Sequence, residues 1–226
     1  IELSVRDPSN KEKYLGEDAV WNKAEGALKE ALNIKKLKYR VGEGEAKFYG
    51  PSIDIKTVDA LGREWQGPTI QVDFNLPEKF DVTYEGQDGK KHRPVMVHRT
   101  VLGSMERFIG CLIEHYAGSF PLWLSPVQVK ILNVGETHEE FCQKLAAQFK
   151  AENIRVELDL TNETVGKKIR KAASEKIPYT LVIGDKEMNS AKLAIRVRGE
   201  EKLAEMAIEK FIEKIKKSIS ERSLEL

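Results

Sequence analysis

Hydrophobic positions recur with two different periods along this 226-residue chain, and the switches between them predict its elements. Ile1, Leu3 and Val5 alternate with Glu2, Ser4 and Arg6, the period-two pattern of a strand. Over residues 18–32 the apolar positions Trp21, Ala24, Leu28, Ala31 and Leu32 fall at helical spacing and predict an amphipathic helix. Residues 42–50 (GEGEAKFYG) read as a Gly-rich turn region. Strands are predicted over 53–58 and 65–74, joined by a hairpin turn at 61–64; a second short hairpin turns at Gln87-Asp88-Gly89, and 94–98 (PVMVH) is a strand again. From Gly103 the period becomes helical, with Met105, Phe108, Ile109, Leu112, Ile113 and Tyr116 on one stripe. Antiparallel hairpins with helices give this half an α+β pattern built on an antiparallel sheet.

Two prolines bracket a short apolar run in SFPLWLSP (119–126), which marks a boundary and divides the chain into residues 1–120 and 121–226. Beyond it strands at 127–134, 154–160, 179–183 and 193–197 alternate with helices at 137–151, 165–175 and 203–219. That alternation predicts an α/β domain with a mixed sheet.

Composition narrows the function classes. Hydrophobic residues make up 41% and charged residues 32% of the chain, enough for a real core. No apolar run approaches the roughly 18 residues of a membrane span, so no membrane partner is expected. Lys and Arg total 37 against 36 Asp and Glu, so any nucleic-acid role must rest on local patches. Cys111 and Cys142 lie in apolar helical patterns outside any C-x-x-C, and both read as small buried hydrophobes in a cytoplasmic protein. The chain begins with Ile, within what reads as a strand, and is expected to be part of something longer.

Walker, G-x-G-x-x-G, G-x-S-x-G and H-E-x-x-H motifs do not occur in the sequence. The informative stretch is VMVHRTVLGSMERFIGCLIEHY, residues 95–116. It reads as a strand, a turn at Gly103 and a helix whose first turn carries Ser104 and Arg107. Free backbone N–H groups there favour anions. A guanidinium at that end could stack on a planar base or pair with phosphate, or instead pair with Glu106 or Glu114.

This stretch resembles motif 3 of the class II aminoacyl-tRNA synthetases, in wording nearest the threonyl-tRNA synthetases. KFYGPSIDI (47–55), WQGPTIQVDFNLPEKF (65–80), RPVMVHRTVLGSMERFIG (93–110), FPLWLSPVQV (120–129) and LVIGDKE (181–187) follow in the family's order. The resemblance implies that Arg107 is the catalytic motif 3 arginine that holds ATP, with Gln66, Thr69, Gly103 and Ser104 lining the nucleotide pocket. A glycine at 103 would let the backbone approach the nucleotide closely. Tyr49 and Gln71 would seat threonine. His98 would supply one of three protein ligands to Zn²⁺, the others lying upstream in the family, and Mg²⁺ would accompany ATP. Trp65 is expected in the core, and His92, His115 and His138 at the surface. Where the family often has lysine, Ser52 stands here.

The second domain resembles the anticodon-binding domain of the same enzymes. Lys167, Lys168, Arg170 and Lys171 on one helix, with Arg196 and Arg198 on a strand, are expected to form a basic patch. Asn162, Arg170, Glu187 and Arg196 would read the anticodon. The implied partners are ATP, L-threonine and tRNA(Thr), and the implied parent is a homodimer. Motifs 1 and 2 are absent, so the segment alone is expected to be inactive. A non-catalytic tRNA-binding module and a histidyl- or prolyl-type synthetase are the alternatives.

Overall fold

The computed structural model describes residues 1–59 and 61–226, and it divides into two compact units, Ile1–Cys111 and Leu112–Leu226. The first unit is built on a five-stranded sheet. Its strands are β1 (Glu2–Val5), β2 (Arg40–Glu43), β3 (Ser52–Val58), β4 (Glu64–Asp73) and, entering after a small hairpin, β7 (Met96–Thr100). The hairpin itself consists of β5 (Tyr84–Glu85) and β6 (Lys91–His92). The sheet order is β2-β1-β3-β4-β7. All pairs are antiparallel except β1 with β2, so the expected antiparallel sheet carries one parallel pair at its edge. β2 overlaps the Gly-rich stretch read as a turn only at Gly42 and Glu43; short and largely exposed, it has no hydrophobic alternation to betray it.

Helix α1 (Asp18–Ile34) lies where the spacing predicted it. Its Leu28 and Leu32 pack on Leu3 and Ile53, with Ile70 and Val72 alongside. Burying side chains of this size contributes about 1.5–3 kcal/mol each. A second cluster joins Trp21 of α1 to Tyr14, Ala46 and Phe74, with the Trp21 indole donating to the Leu15 carbonyl at 2.7 Å. A short helix α2 (Leu76–Lys79) follows β4, and α3 (Met105–Tyr116) follows β7. No residue of α3 is buried: Met105, Ile109 and Ile113 are 53%, 45% and 48% exposed. The apolar stripe exists, with Phe108, Leu112 and Tyr116 half-buried, but the described residues leave Met105, Ile109 and Ile113 largely uncovered.

The second unit is a mixed sheet of order β12-β11-β10-β8-β9, made of β8 (Val129–Asn133), β9 (Val156–Asp159), β10 (Tyr179–Ile183), β11 (Lys192–Val197) and β12 (Ala204–Ala207). β8 is parallel to both β9 and β10, whereas β11 is antiparallel to β10 and β12. Helices α4 (Glu139–Ala151), α5 (Val165–Ser174), α6 (Asp185–Met188) and α7 (Ile208–Ser220) intervene. β12 occupies the start of the region read as one long helix, because Leu203, Ala204 and Met206 fit either period at so short a length.

One core joins α4 and α7 to Val129, Ile131, Tyr179, Leu181, Ile183, Leu193, Ile195 and Val197. The alternate positions face α5. There the fully buried Lys130 meets Glu157 at 2.8 Å and Glu175 at 2.5 Å. Lys168 of α5, read as part of a surface patch, is 1% exposed. Its ammonium donates to the Asn133 carbonyl at 3.1 Å, the Asn133 side-chain oxygen at 2.5 Å and the Asp159 carbonyl at 3.4 Å. Arg198, expected in the same basic patch, is half-buried and donates to the carbonyls of Lys176, Ser119 and Phe120. Burial lowers its pKa from the ordinary arginine value.

Candidate active site and anticodon face

Residues directly opposite across an antiparallel pair share a sheet face. Ile70 and Val72 of β4 turn toward α1, so Thr69, Gln71 and Asp73 turn to the other face. Register sets Ser52 beside Gln71 and Asp54 beside Thr69. It also sets His98 beside Gln71 and Thr100 beside Thr69. Between Asp54 and Lys56 the register slips. This bulge turns Gln66 onto the same face, and its amide donates to Asp54 Oδ1 at 2.9 Å.

Tyr49 reaches this face because the chain before β3 lies tight against β4. A Cβ on Gly50 would sit 1.7 Å from the Val72 carbonyl oxygen. The Tyr49 hydroxyl donates to Gln71 Oε1 at 2.7 Å, and its ring lies edge-on to His98 at 6.4 Å. Burial, and then the charges of Asp73 and Asp54, raise the Tyr49 pKa and keep it a donor. The fully buried Asp73 accepts from the Asn75 and Leu76 amides, and its other oxygen lies 3.0 Å from His98 Nε2. That contact fixes the imidazole and leaves Nδ1 open. Gln71, Tyr49 and His98 thus form one cluster.

At the other end of β4, the Arg107 guanidinium donates to the Gln66 carbonyl at 3.4 Å and stands 5.9 Å from the centre of the Trp65 ring. Trp65 is not core: it is half-buried, with Arg63 at 5.5 Å, and its indole donates to Asp59 at 2.9 Å. That bond and those from Arg63 and Leu61 hold the Asp59 carboxyl below the ordinary range against burial. Ser104 starts α3, accepting from the Arg107 amide at 3.4 Å and donating to Glu106 at 2.8 Å. Gly103 has φ +72°, and a Cβ there would meet the Gly67 carbonyl oxygen at 2.7 Å. Its glycine is required by β4, before any nucleotide is considered.

Zinc was expected at His98. A three-ligand site needs further donors, and among the described residues no three His, Cys, Asp or Glu side chains come together in a metal-holding group. The donors of this chain alone do not make the site. Of the remaining histidines, His138 is buried rather than superficial, 3.1 Å from Asp185. Cys142 is buried as expected, whereas Cys111 is half-exposed.

Sequence reasoning missed Asp54, the centre of the whole face. It accepts from Ser4 at 2.6 Å and Ser52 at 2.9 Å on one oxygen, and from Thr69 at 2.6 Å and Gln66 on the other. The signal was the alternation of SIDI in β3, whose polar positions need partners once buried.

In the second unit, Arg196 projects exposed from β11 beside Thr180, on the α5 side of the sheet, and Arg170 is exposed on α5. Asn162 follows β9 and is exposed. Glu187 in α6 follows β10 and accepts from the Gly184 amide at 3.1 Å. Lys167 pairs with Glu163 at 2.5 Å.

A family model described as the tRNA synthetase class II core domain (G, H, P, S and T) matches residues 9–116, and one described as the anticodon binding domain matches residues 128–218. The threonine–tRNA ligase of Carboxydothermus hydrogenoformans is 51% identical over 98% of this chain, which covers 34% of that protein. That of Desulforamulus reducens is 49% identical over 99% of this chain and 35% of its own length. The crystal structure of the RNA binding domain of threonyl-tRNA synthetase from Cryptosporidium parvum superposes with a TM-score of 0.83 at 34% identity, covering 96% of this chain and 54% of that one. The chain therefore spans about a third of the length of the curated relatives it matches. It belongs to the class II aminoacyl-tRNA synthetases, as a segment in which part of the synthetase core precedes an anticodon-binding domain.

Proposed function

We propose that the full-length protein carrying this segment activates L-threonine with ATP and transfers it to tRNA(Thr). In the first step a threonine carboxylate oxygen attacks the α-phosphorus, and the bond to pyrophosphate breaks. In the second, a hydroxyl of the terminal tRNA ribose attacks the acyl carbon and AMP leaves. The observation that carries this reading is the single polar face on which Gln66, Thr69, Gln71, Tyr49 and His98 converge, with Arg107 at its end. Arg107, exposed and held at the Gln66 carbonyl, would stack on adenine and act with Gln66, Thr69, Gly103 and Ser104 on the nucleotide. With its Oε1 occupied by Tyr49, Gln71 turns N–H donors outward, which suits a carboxylate. His98 would give one nitrogen to a Zn²⁺ site completed from outside this segment, and no step is derived through it. Mg²⁺ would arrive with ATP.

Residues 1–120 would belong to catalysis and 121–226 to tRNA, with Asn162, Arg170, Glu187 and Arg196 reading the anticodon loop. Arg170 and Arg196, exposed and without a carboxylate bonded to them in the structure, suit single-stranded RNA. A cytoplasmic homodimer is the expected parent. No described helix is long and apolar enough to cross a membrane. The uncovered stripe of α3 supports the expectation that the isolated segment is inactive.

In the full-length protein, Arg107→Ala should weaken threonine-dependent ATP–pyrophosphate exchange and spare tRNA binding, and Arg196→Ala should do the reverse. Loss of the same step in both would refute this division. A pure tRNA-binding module would show no exchange at all.

A further inference from the structure

The candidate site reverses its hydrogen-bonding polarity along one strand, and the reversal traces to one buried side chain. Asp54 is 4% exposed and Ser4 and Ser52 are fully buried, so Asp54 lies at the base of the face, beneath the Gln66 and Thr69 side chains that bond to it. An ionised carboxylate only accepts hydrogen bonds. Thr69 Oγ1 therefore spends its only proton inward, at 2.6 Å, and Gln66 spends one amide N–H inward, at 2.9 Å, on the same oxygen Oδ1. What Thr69 has left to show a ligand is its lone pairs, and Gln66 shows its carbonyl oxygen beside its second N–H. Ser4 and Ser52 saturate Oδ2 from β1 and β3, so the carboxylate cannot turn. Two residues further along β4, Tyr49 occupies the oxygen of Gln71, and that side chain shows donors instead.

We infer that Asp54 is a positioning residue that fixes the Thr69 hydroxyl and the Gln66 carbonyl oxygen as acceptors, so that this part of the face takes a hydrogen-bond donor of the substrates, a ribose hydroxyl or an ammonium group. The inference deepens the proposed adenylation reading and rests on it. Burial opposes the charge on Asp54, but the bonds from Ser4, Thr69, Ser52 and Gln66 outweigh burial and hold its carboxyl below the ordinary range. It is thus an ionised acceptor at neutral pH. Phosphate oxygens, acceptors themselves, find no partner in Thr69.

The test uses the full-length enzyme and threonine-dependent ATP–pyrophosphate exchange, with ATP, 2′-deoxy-ATP, 3′-deoxy-ATP and a threonine titration. Asp54→Ala frees the two side chains to turn. One substrate KM should rise about 10- to 100-fold, the range for losing a charge-fixed hydrogen bond, while kcat stays within about 3-fold. If the donor is a ribose hydroxyl, the wild-type preference for ATP over the deoxy analogue collapses. If it is the ammonium, the threonine KM rises and that preference survives. Asp54→Asn keeps an acceptor at Oδ1 and lets Ser4 and Ser52 rotate to accept from the new amide, so it should fold normally. It should raise the same KM only about 3- to 10-fold, since a neutral acceptor is the weaker one. Unchanged KM values in both variants, or an equal fall of kcat with every substrate, would overturn the inference. Should Asp54→Ala not fold, an unchanged KM in Asp54→Asn overturns it by itself. A wild-type enzyme without threonine-dependent exchange would instead sink the functional reading.

Discussion

Gly103 and Gly89 have nearly the same backbone, φ +72° and +70°, in very different surroundings. A Cβ at Gly89 meets nothing within 4 Å, whereas one at Gly103 meets the Gly67 oxygen at 2.7 Å, its carbonyl carbon at 3.1 Å and its Cα at 3.3 Å. Both alanine substitutions put an L-residue in the left-handed region, at about 1–2 kcal/mol, and both stiffen the unfolded chain equally. Only Gly103→Ala adds a collision with backbone that cannot rotate away, about 1–3 kcal/mol more. Urea unfolding of the two variants side by side reads the difference directly. Gly103→Ala should be the less stable by that margin, and in the full-length enzyme it should also weaken ATP use, because the strand–helix junction holds Arg107 at the Gln66 carbonyl. Equal costs within about 0.5 kcal/mol, the usual scatter of neutral surface changes, would refute the argument from close approach.

Lys168→Met should destabilise the second unit by about 1–3 kcal/mol, since it strands buried oxygens of Asn133 and Asp159; Trp123 fluorescence during urea unfolding checks this, and an unchanged midpoint contradicts it. Iodoacetamide at pH 8 should alkylate the half-exposed Cys111 first, because Cys142 is fully buried and burial pushes its thiol up to about 11; peptide mass spectrometry showing the opposite order would contradict this. Asp54 is depressed in the folded state, so its contribution is present above the unfolded carboxylate value and is lost as pH falls through the lower folded one. Acid unfolding of Asp54→Asn should therefore show a shallower dependence below about pH 4 than wild type, and identical slopes would contradict the assignment.

Long amphipathic elements were legible from spacing alone. α1 and the strands of the second core announce themselves because one face is apolar and buried. β2 and β12 were not, since four residues with little burial carry too little periodicity. At the candidate site, the resemblance supplied Tyr49, Gln66, Thr69, Gln71, His98 and Arg107; strand register sets four of them on one face, Tyr49 joins through its bond to Gln71, and Arg107 stands at the edge. What no local pattern reveals is polar burial between distant segments. Asp54 depends on Ser4, fifty residues away, and Lys168 on Asn133, thirty-five away. The same blindness made Lys168 and Arg198 look like surface cations, and Trp65 like core.

Lys168 spends its donors on the ends of β8 and β9, and this has a mechanical consequence for α5. The helix is pinned from behind, and rolling it would break these bonds. Arg170 and Lys171 on its outer side therefore keep a constant bearing. Added salt would screen their pull on a polyanion and leave in place the bonds of Lys168 to oxygens in a dry interior.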